Sequence, residues 1–237
     1  MNIALIKAGG VGHRMNAGVP KQFITIQGKP IIVYTLEQFE EHPSIDEIVV
    51  VCVDGWQNIL RAYAEKYHIT KLKKIVNGGT TSLRSIKNGV EAIAKDHVDD
   101  DLVLVHDGNR PVITQEIISD VIVKCEEYGS AVAAIPCTDE VMESNDDHTG
   151  SKKFWDHKKA YRIQTPDAYR LSILKNIFKN ATEYQLDNIG ATNTLMIDQG
   201  QEVHFAQGSE LNIRLTTQED ILQCKALLVM EKRMKYE

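Results

Sequence analysis

Residues 2–15 read Asn-Ile-Ala-Leu-Ile-Lys-Ala-Gly-Gly-Val-Gly-His-Arg-Met. A short apolar run, 2–7, passes straight into a glycine-rich loop, and that junction decides the fold class. Runs of this kind predict strands, and they recur at 47–53, 74–76, 101–106 and 130–136. Between and after them, segments with 3.6-residue periodicity predict helices at 30–41, 57–67, 82–95, 115–128, 171–180 and 217–232. The runs IVVVCV and LVLV are apolar without alternation, as strands buried on both faces of a parallel sheet are. Strand and helix alternate, which predicts an α/β fold: a Rossmann-like, doubly wound, mostly parallel sheet. Thr216 and Glu219 have the spacing of a capping box and are expected to open the last helix.

The chain has 237 residues, 43% hydrophobic and 25% charged, enough for one domain with a substantial core. No repeat or linker divides it, so a single domain over 1–237 is expected. No stretch nears the roughly 20 apolar residues that cross a bilayer. The apolar N-terminal run stops after four residues at Lys7, unlike a signal peptide. Cys52, Cys125, Cys137 and Cys224 are widely spaced, which suits a reduced cytoplasmic setting and argues against a zinc knuckle. A net charge of −6 argues against nucleic acid and anionic membranes as partners.

The charge is unevenly spread. The first 36 residues hold no acid, yet contain Lys7, Arg14, Lys21 and Lys29. A cationic start on an acidic chain points to an anion bound there, against the plainer reading of a chance gap. Glycines at the end of a strand let the backbone approach a phosphate and offer amide donors. The loop at 8–14 is not a dinucleotide fingerprint, because Met15 stands where the third glycine should be and no acid follows to hold a ribose. No Walker A motif occurs either. Arg14, and Lys21 within Pro20-Lys21-Gln22-Phe23, lie close enough to the glycines to face one triphosphate. Ligands on such sheets bind beyond the C-terminal strand ends. Those ends carry NGG at 77–79, DGNRP at 107–111 and CTDE at 137–140. One segment, 142–160, is polar and aperiodic but contains Phe154 and Trp155. We expect a protruding dimerisation arm whose aromatic residues pack on a second subunit.

IKAGGVGHRM with PKQF, NGGTTSLRSIKNGV, VHDGNRP, the Asp139 segment, QTP at 164–166 and LNIRLT at 211–216 occur in one order. Together they resemble the cytidylyltransferases of sugar-alcohol phosphates, the family acting on 2-C-methyl-D-erythritol 4-phosphate and ribitol 5-phosphate. The resemblance covers nearly the whole chain. It implies CTP and a small phosphorylated polyol as partners, Mg²⁺ as cofactor, and a homodimer. Arg14, Lys21 and Arg214 would then carry catalysis. Lys7, Ala8, Gly9, Gly10, Gly12, Gly79, Thr80, Ser85 and Gly108 would hold the nucleotide. Asp107, Arg110, Asp139, Glu140, His157, Thr165 and Arg214 would meet the acceptor, with Asp107 also holding the metal.

Several positions depart from that family's pattern, mostly on the acceptor side. Ser82 stands where the family has arginine. Arg84, two residues later, should face elsewhere, since two residues turn a helix by about 200°. Glu140 follows Asp139 in place of a hydroxyl residue, His157 replaces the arm arginine, and Arg214 replaces a lysine. The family's acidic segment aligns roughly with 188–191, and Lys7 replaces a small or apolar residue. These changes favour a polyol phosphate such as ribitol 5-phosphate, used for a cell-surface polymer. The alternatives are the methylerythritol phosphate reaction of isoprenoid synthesis and a nucleotide-binding subunit without catalysis.

Overall fold

The computed structural model describes residues 1–10 and 18–234. Its centre is a seven-stranded sheet. Five strands fall where the apolar runs predict them: β1 (Asn2–Ala8), β4 (Glu47–Cys52), β5 (Leu72–Asn77), β6 (Leu102–Asp107) and β7 (Ser130–Pro136). Two more were not foreseen, β10 (Tyr161–Arg170) and β11 (Phe205–Gln207). The spatial order is β11-β7-β10-β6-β1-β4-β5, with β10 antiparallel to both its neighbours and all other pairs parallel.

β10 escapes a periodicity reading because it contains Pro166, which cannot donate to a ladder. The sheet accommodates it at an irregularity, where the β10–β7 register shifts between Ile163 and Asp167. The Thr165–Pro166 peptide is cis. A two-residue hairpin, β2 (Thr25–Ile26) and β3 (Lys29–Pro30), also lies outside the predicted set.

The helices α1 (Ile31–Glu41), α2 (Gln57–Lys66) and α4 (Gln115–Tyr128) cover one face of the sheet, packed on Ala4, Ile6 and Ala8. The other face, with Ile3 and Leu5, lies under α3 (Ser82–Ile93), α5 (Leu171–Asn180), α6 (Glu183–Asn188) and α7 (Thr192–Asp198). β1 therefore buries both its faces, which is why its sequence is apolar without alternation. The chain winds outward from β1 to β4 and β5, then returns to β6 on β1's other side. Connections leaving β1 and β6 diverge at this switch point and open a crevice at their C-terminal ends.

The last helix, α8 (Gln218–Met234), packs through Ile221, Cys224 and Leu228 on Ile26, Ile31 and Tyr34. Its cap corrects the sequence reading by one residue. Thr217, not Thr216, is the capping hydroxyl: it accepts from the Asp220 amide at 3.2 Å, and the Asp220 carboxylate accepts from the Thr217 amide at 2.7 Å. The same carboxylate takes the Thr216 amide at 2.6 Å. An aspartate one residue later can close the box with its shorter side chain, so spacing alone could not choose between Glu219 and Asp220.

The polar segment is a hairpin, β8 (Val141–Ser144) and β9 (Ser151–Trp155), with Met142 opposite Phe154 and Val141 opposite Trp155. Phe154 is 76% and Trp155 59% exposed, so neither is covered within this chain. Among the described residues no helix is long and apolar enough to cross a membrane.

Candidate active site

The crevice is a cleft of about 570 Å³. Lys7, Ala8, Gly9 and Gly10 enter it from the end of β1, and Gly79, Thr80 and Ser85 from the β5–α3 junction. Asp107 comes from the end of β6, Lys21 from a single 3₁₀ turn over Lys21–Phe23, and Arg214 from a loop. Ala8, Gly9 and Gly10 of the sequence-predicted phosphate loop, the Gly-Gly turn and the Asp107 strand end thus share one hollow. Arg14 and Gly12 lie outside the described residues.

Lys21 reaches the cleft because its neighbours are anchored. Gln22 and Phe23 are buried, the Gln22 side-chain Nε2 donates to the Ala8 carbonyl at 2.7 Å, and Phe23 stacks on Trp56. At the second loop the Gly79 amide donates to the Ser85 hydroxyl at 2.9 Å, which itself donates to the Thr81 carbonyl at 2.8 Å. A Cβ on Gly79 would stand 2.6 Å from the Arg84 Cβ, so only glycine permits this turn. Arg84 faces away from the cleft, as its helical position predicted, and pairs with Asp187 and Glu183 of α6, which the sequence did not announce. Gly108 does not line the cleft. Its amide donates to the Lys7 carbonyl at 2.9 Å, a close approach that joins the ends of β1 and β6.

Lys7 and Asp107 are register partners on neighbouring strands, and their side chains meet at 2.9 Å. Arg110 reaches the other carboxylate oxygen at 3.2 Å. Burial alone would raise the Asp107 carboxyl, but Lys7 and Arg110 reverse this and hold it well below the usual carboxylate range. Arg110 feels the opposite balance: burial and nearby Arg214 lower it, while Asp107 supports its charge. Asp167, on the adjacent β10, is buried and pushed up to about 6, with the Tyr169 hydroxyl donating to it at 2.6 Å.

Thr165 is buried and does not line the cleft. Its hydroxyl accepts from the Asp107 amide at 3.1 Å and lies 3.1 Å from His106 Nδ1. His106 Nε2 is 3.2 Å from the Arg110 carbonyl. These contacts are satisfied together by one tautomer: Nε2–H donates and Nδ1 accepts the Thr165 hydroxyl proton. Burial lowers His106 to about 3, so it stays neutral.

Arg110 opens on a second hollow of about 310 Å³, which Arg214 shares with the first. Arg162, Gln164 and Asn212 also line it. Sequence reasoning missed these and Asn109, although Asn109, Gln164 and Asn212 sit inside the quoted motifs. Asn109 donates to the Leu215 carbonyl and Asn212 to the Thr165 carbonyl, ties between distant segments that no local pattern announces. Asp139, Glu140 and His157 line neither hollow. They sit at the root of the arm, where His157 Nδ1 is 3.3 Å from Glu140. A separate groove of about 460 Å³ between α2 and β5 contains none of the predicted site residues.

The expected magnesium ligand does not fit. Among the described residues no three His, Cys, Asp or Glu side chains converge. Both oxygens of Asp107 already face cations, and a divalent ion there would stand against the Lys7 ammonium.

A family model described as "IspD: 2-C-methyl-D-erythritol 4-phosphate cytidylyltransferase" matches residues 2–230. The ribitol-5-phosphate cytidylyltransferase of Lacticaseibacillus paracasei is 40% identical over 96% of this chain and 98% of that protein. The 2-C-methyl-D-erythritol 4-phosphate cytidylyltransferase of Syntrophus aciditrophicus is 35% identical, covering 97% of each. The crystal structure of 4-diphosphocytidyl-2C-methyl-D-erythritol synthase from Anaerococcus prevotii superposes with a TM-score of 0.78 at 27% identity, covering 96% of each chain.

Proposed function

Since this chain belongs to the 2-C-methyl-D-erythritol 4-phosphate cytidylyltransferase family, whose enzymes are CTP-dependent nucleotidyltransferases, we propose that it cytidylylates a sugar-alcohol phosphate of the ribitol 5-phosphate class. One observation carries this reading: Lys21, Arg214, Asp107 and two glycine turns converge on a single cleft large enough for a nucleotide. The greater likeness to a relative named for ribitol 5-phosphate, and the departures at Ser82, Glu140 and His157, support that acceptor.

An oxygen of the acceptor phosphate attacks the α-phosphorus of CTP. The bond to the β-phosphate oxygen breaks, and pyrophosphate leaves. The nucleophile is already ionised near pH 7, so the reaction needs alignment and charge stabilisation more than a general base. Lys21 and Arg14 neutralise the triphosphate, the amides at Gly9 and Gly10 cradle it, and the Gly79–Thr80 turn faces the base and ribose. Arg214, shared by both hollows, holds the acceptor phosphate from the side that Arg110 lines. We assign no side chain to magnesium. The exposed Met142, Phe154 and Trp155 support pairing of two chains through the arm.

The test is pyrophosphate release from CTP with ribitol 5-phosphate or 2-C-methyl-D-erythritol 4-phosphate. We expect turnover with the first. Turnover with the second alone overturns the acceptor assignment, and CTP binding without turnover on either overturns the catalytic one.

A further inference from the structure

Lys7 carries chemistry that a strand end does not require. Alternation along β1 puts its side chain on the same sheet face as Ile3 and Leu5, at the C-terminal edge. On that face its neighbour across β6 is Asp107, and one strand further lies Asp167. The side chains of Lys7, Asp107 and Arg110 are only 16%, 14% and 9% exposed, so the charges meet in a poorly hydrated place. There an unpaired carboxylate would be costly and would draw a cation from solution. The ammonium at 2.9 Å supplies it from within the chain.

We propose that Lys7 is the resident cation of Asp107 and keeps divalent ions off the one carboxylate at the inner end of the cleft. A metal ion placed on Oδ1 would have to displace an ammonium whose stem is buried, and Arg110 guards Oδ2. Asp54, the other acid lining the cleft, is exposed and accepts from Gln57 at 3.4 Å. Lys7 thus fixes the electrostatics of the site before any substrate arrives: an ionised Asp107 and a net positive wall facing phosphate. The inference takes its phosphate ligand from the preceding reading but rests on the Lys7–Asp107–Arg110 geometry.

Manganese binding to the nucleotide-free protein, followed by electron paramagnetic resonance, tests it without any turnover. Wild type is expected to bind Mn²⁺ at least ~10-fold more weakly than Lys7→Met, a difference of about 1.4 kcal/mol. Lys7→Arg should behave as wild type, and Lys7→Met/Asp107→Asn should lose the gain. Tight Mn²⁺ binding by wild type that Asp107→Asn abolishes overturns the proposal, as does a Lys7→Met protein that is folded but gains no site. Should Lys7→Met fail to fold, the wild-type and Asp107→Asn titrations still decide. A failure to turn over CTP would sink the enzymatic reading and leave this titration unaffected.

Discussion

The Ser85 hydroxyl accepts the Gly79 amide at 2.9 Å, so a helix side chain, six residues on, sets the shape of the second glycine turn. Ser85→Ala leaves that amide without its partner in a part-buried place. We expect about 1–3 kcal/mol of destabilisation and a KM for CTP that rises more than the KM for the acceptor. Chemical denaturation and steady-state kinetics measure the two effects, and equal rises in both KM values would contradict the assignment. Gly79→Ala should be worse, because its Cβ would meet the Arg84 Cβ at 2.6 Å.

Arg214 lines both hollows. Arg214→Ala should lower kcat/KM for the acceptor by ~10²–10³, the cost of losing one preorganised donor, while CTP binding by calorimetry changes less. Arg214→Lys keeps the charge but not the planar fork and should fall between.

The cap of α8 makes a sharp contrast between adjacent acids. Asp220→Ala removes the acceptor of the Thr216 and Thr217 amides and should cost about 1–2 kcal/mol in denaturation. Glu219→Ala should cost a few tenths at most. The reverse order would restore the cap at Thr216.

Asp167 gives the stability a definite pH dependence. Burial raises it from its ordinary 3.8 to about 6 in the folded chain. Between these values the folded state keeps a proton that the unfolded state has lost. Stability from this group is therefore fullest below about pH 4, declines as pH rises towards 6, and is flat above. Asp167→Asn should gain relative to wild type over that window, by up to about 3 kcal/mol. Melting temperatures of both proteins from pH 4 to 8 measure it, and a constant difference would remove Asp167 as the cause.

The arm presents Phe154 and Trp155 to solvent on one short hairpin. If the arm pairs two chains as proposed, wild type sediments as a dimer and Phe154→Ser/Trp155→Ser as a monomer with an unchanged melting temperature. A monomeric wild type, or a variant of unchanged mass, would overturn pairing through the arm.

Five of the sheet's strands and most of its helices were legible because burial on both faces writes itself locally, as apolar runs and 3.6-residue periods. The glycine turns and the cations near them were legible for a similar reason: close backbone approach and phosphate charge demand particular residue types at short spacing. β10 was not, because Pro166 and Asp167 mask a strand that only its neighbours β6 and β7 make possible. The sequence could not show that the Thr165 hydroxyl stands between His106 and the Asp107 amide, since those residues lie about sixty positions away on another strand.

The sequence alone determined that a parallel α/β sheet would present a cationic, glycine-lined crevice at its C-terminal strand ends. Tertiary structure decided that Asp107 is paired with Lys7 and Arg110, and that Asp139, Glu140 and His157 stay with the arm. Charges interact through space. Which of them meet is set by strand order and register, and no local pattern of residues carries that information.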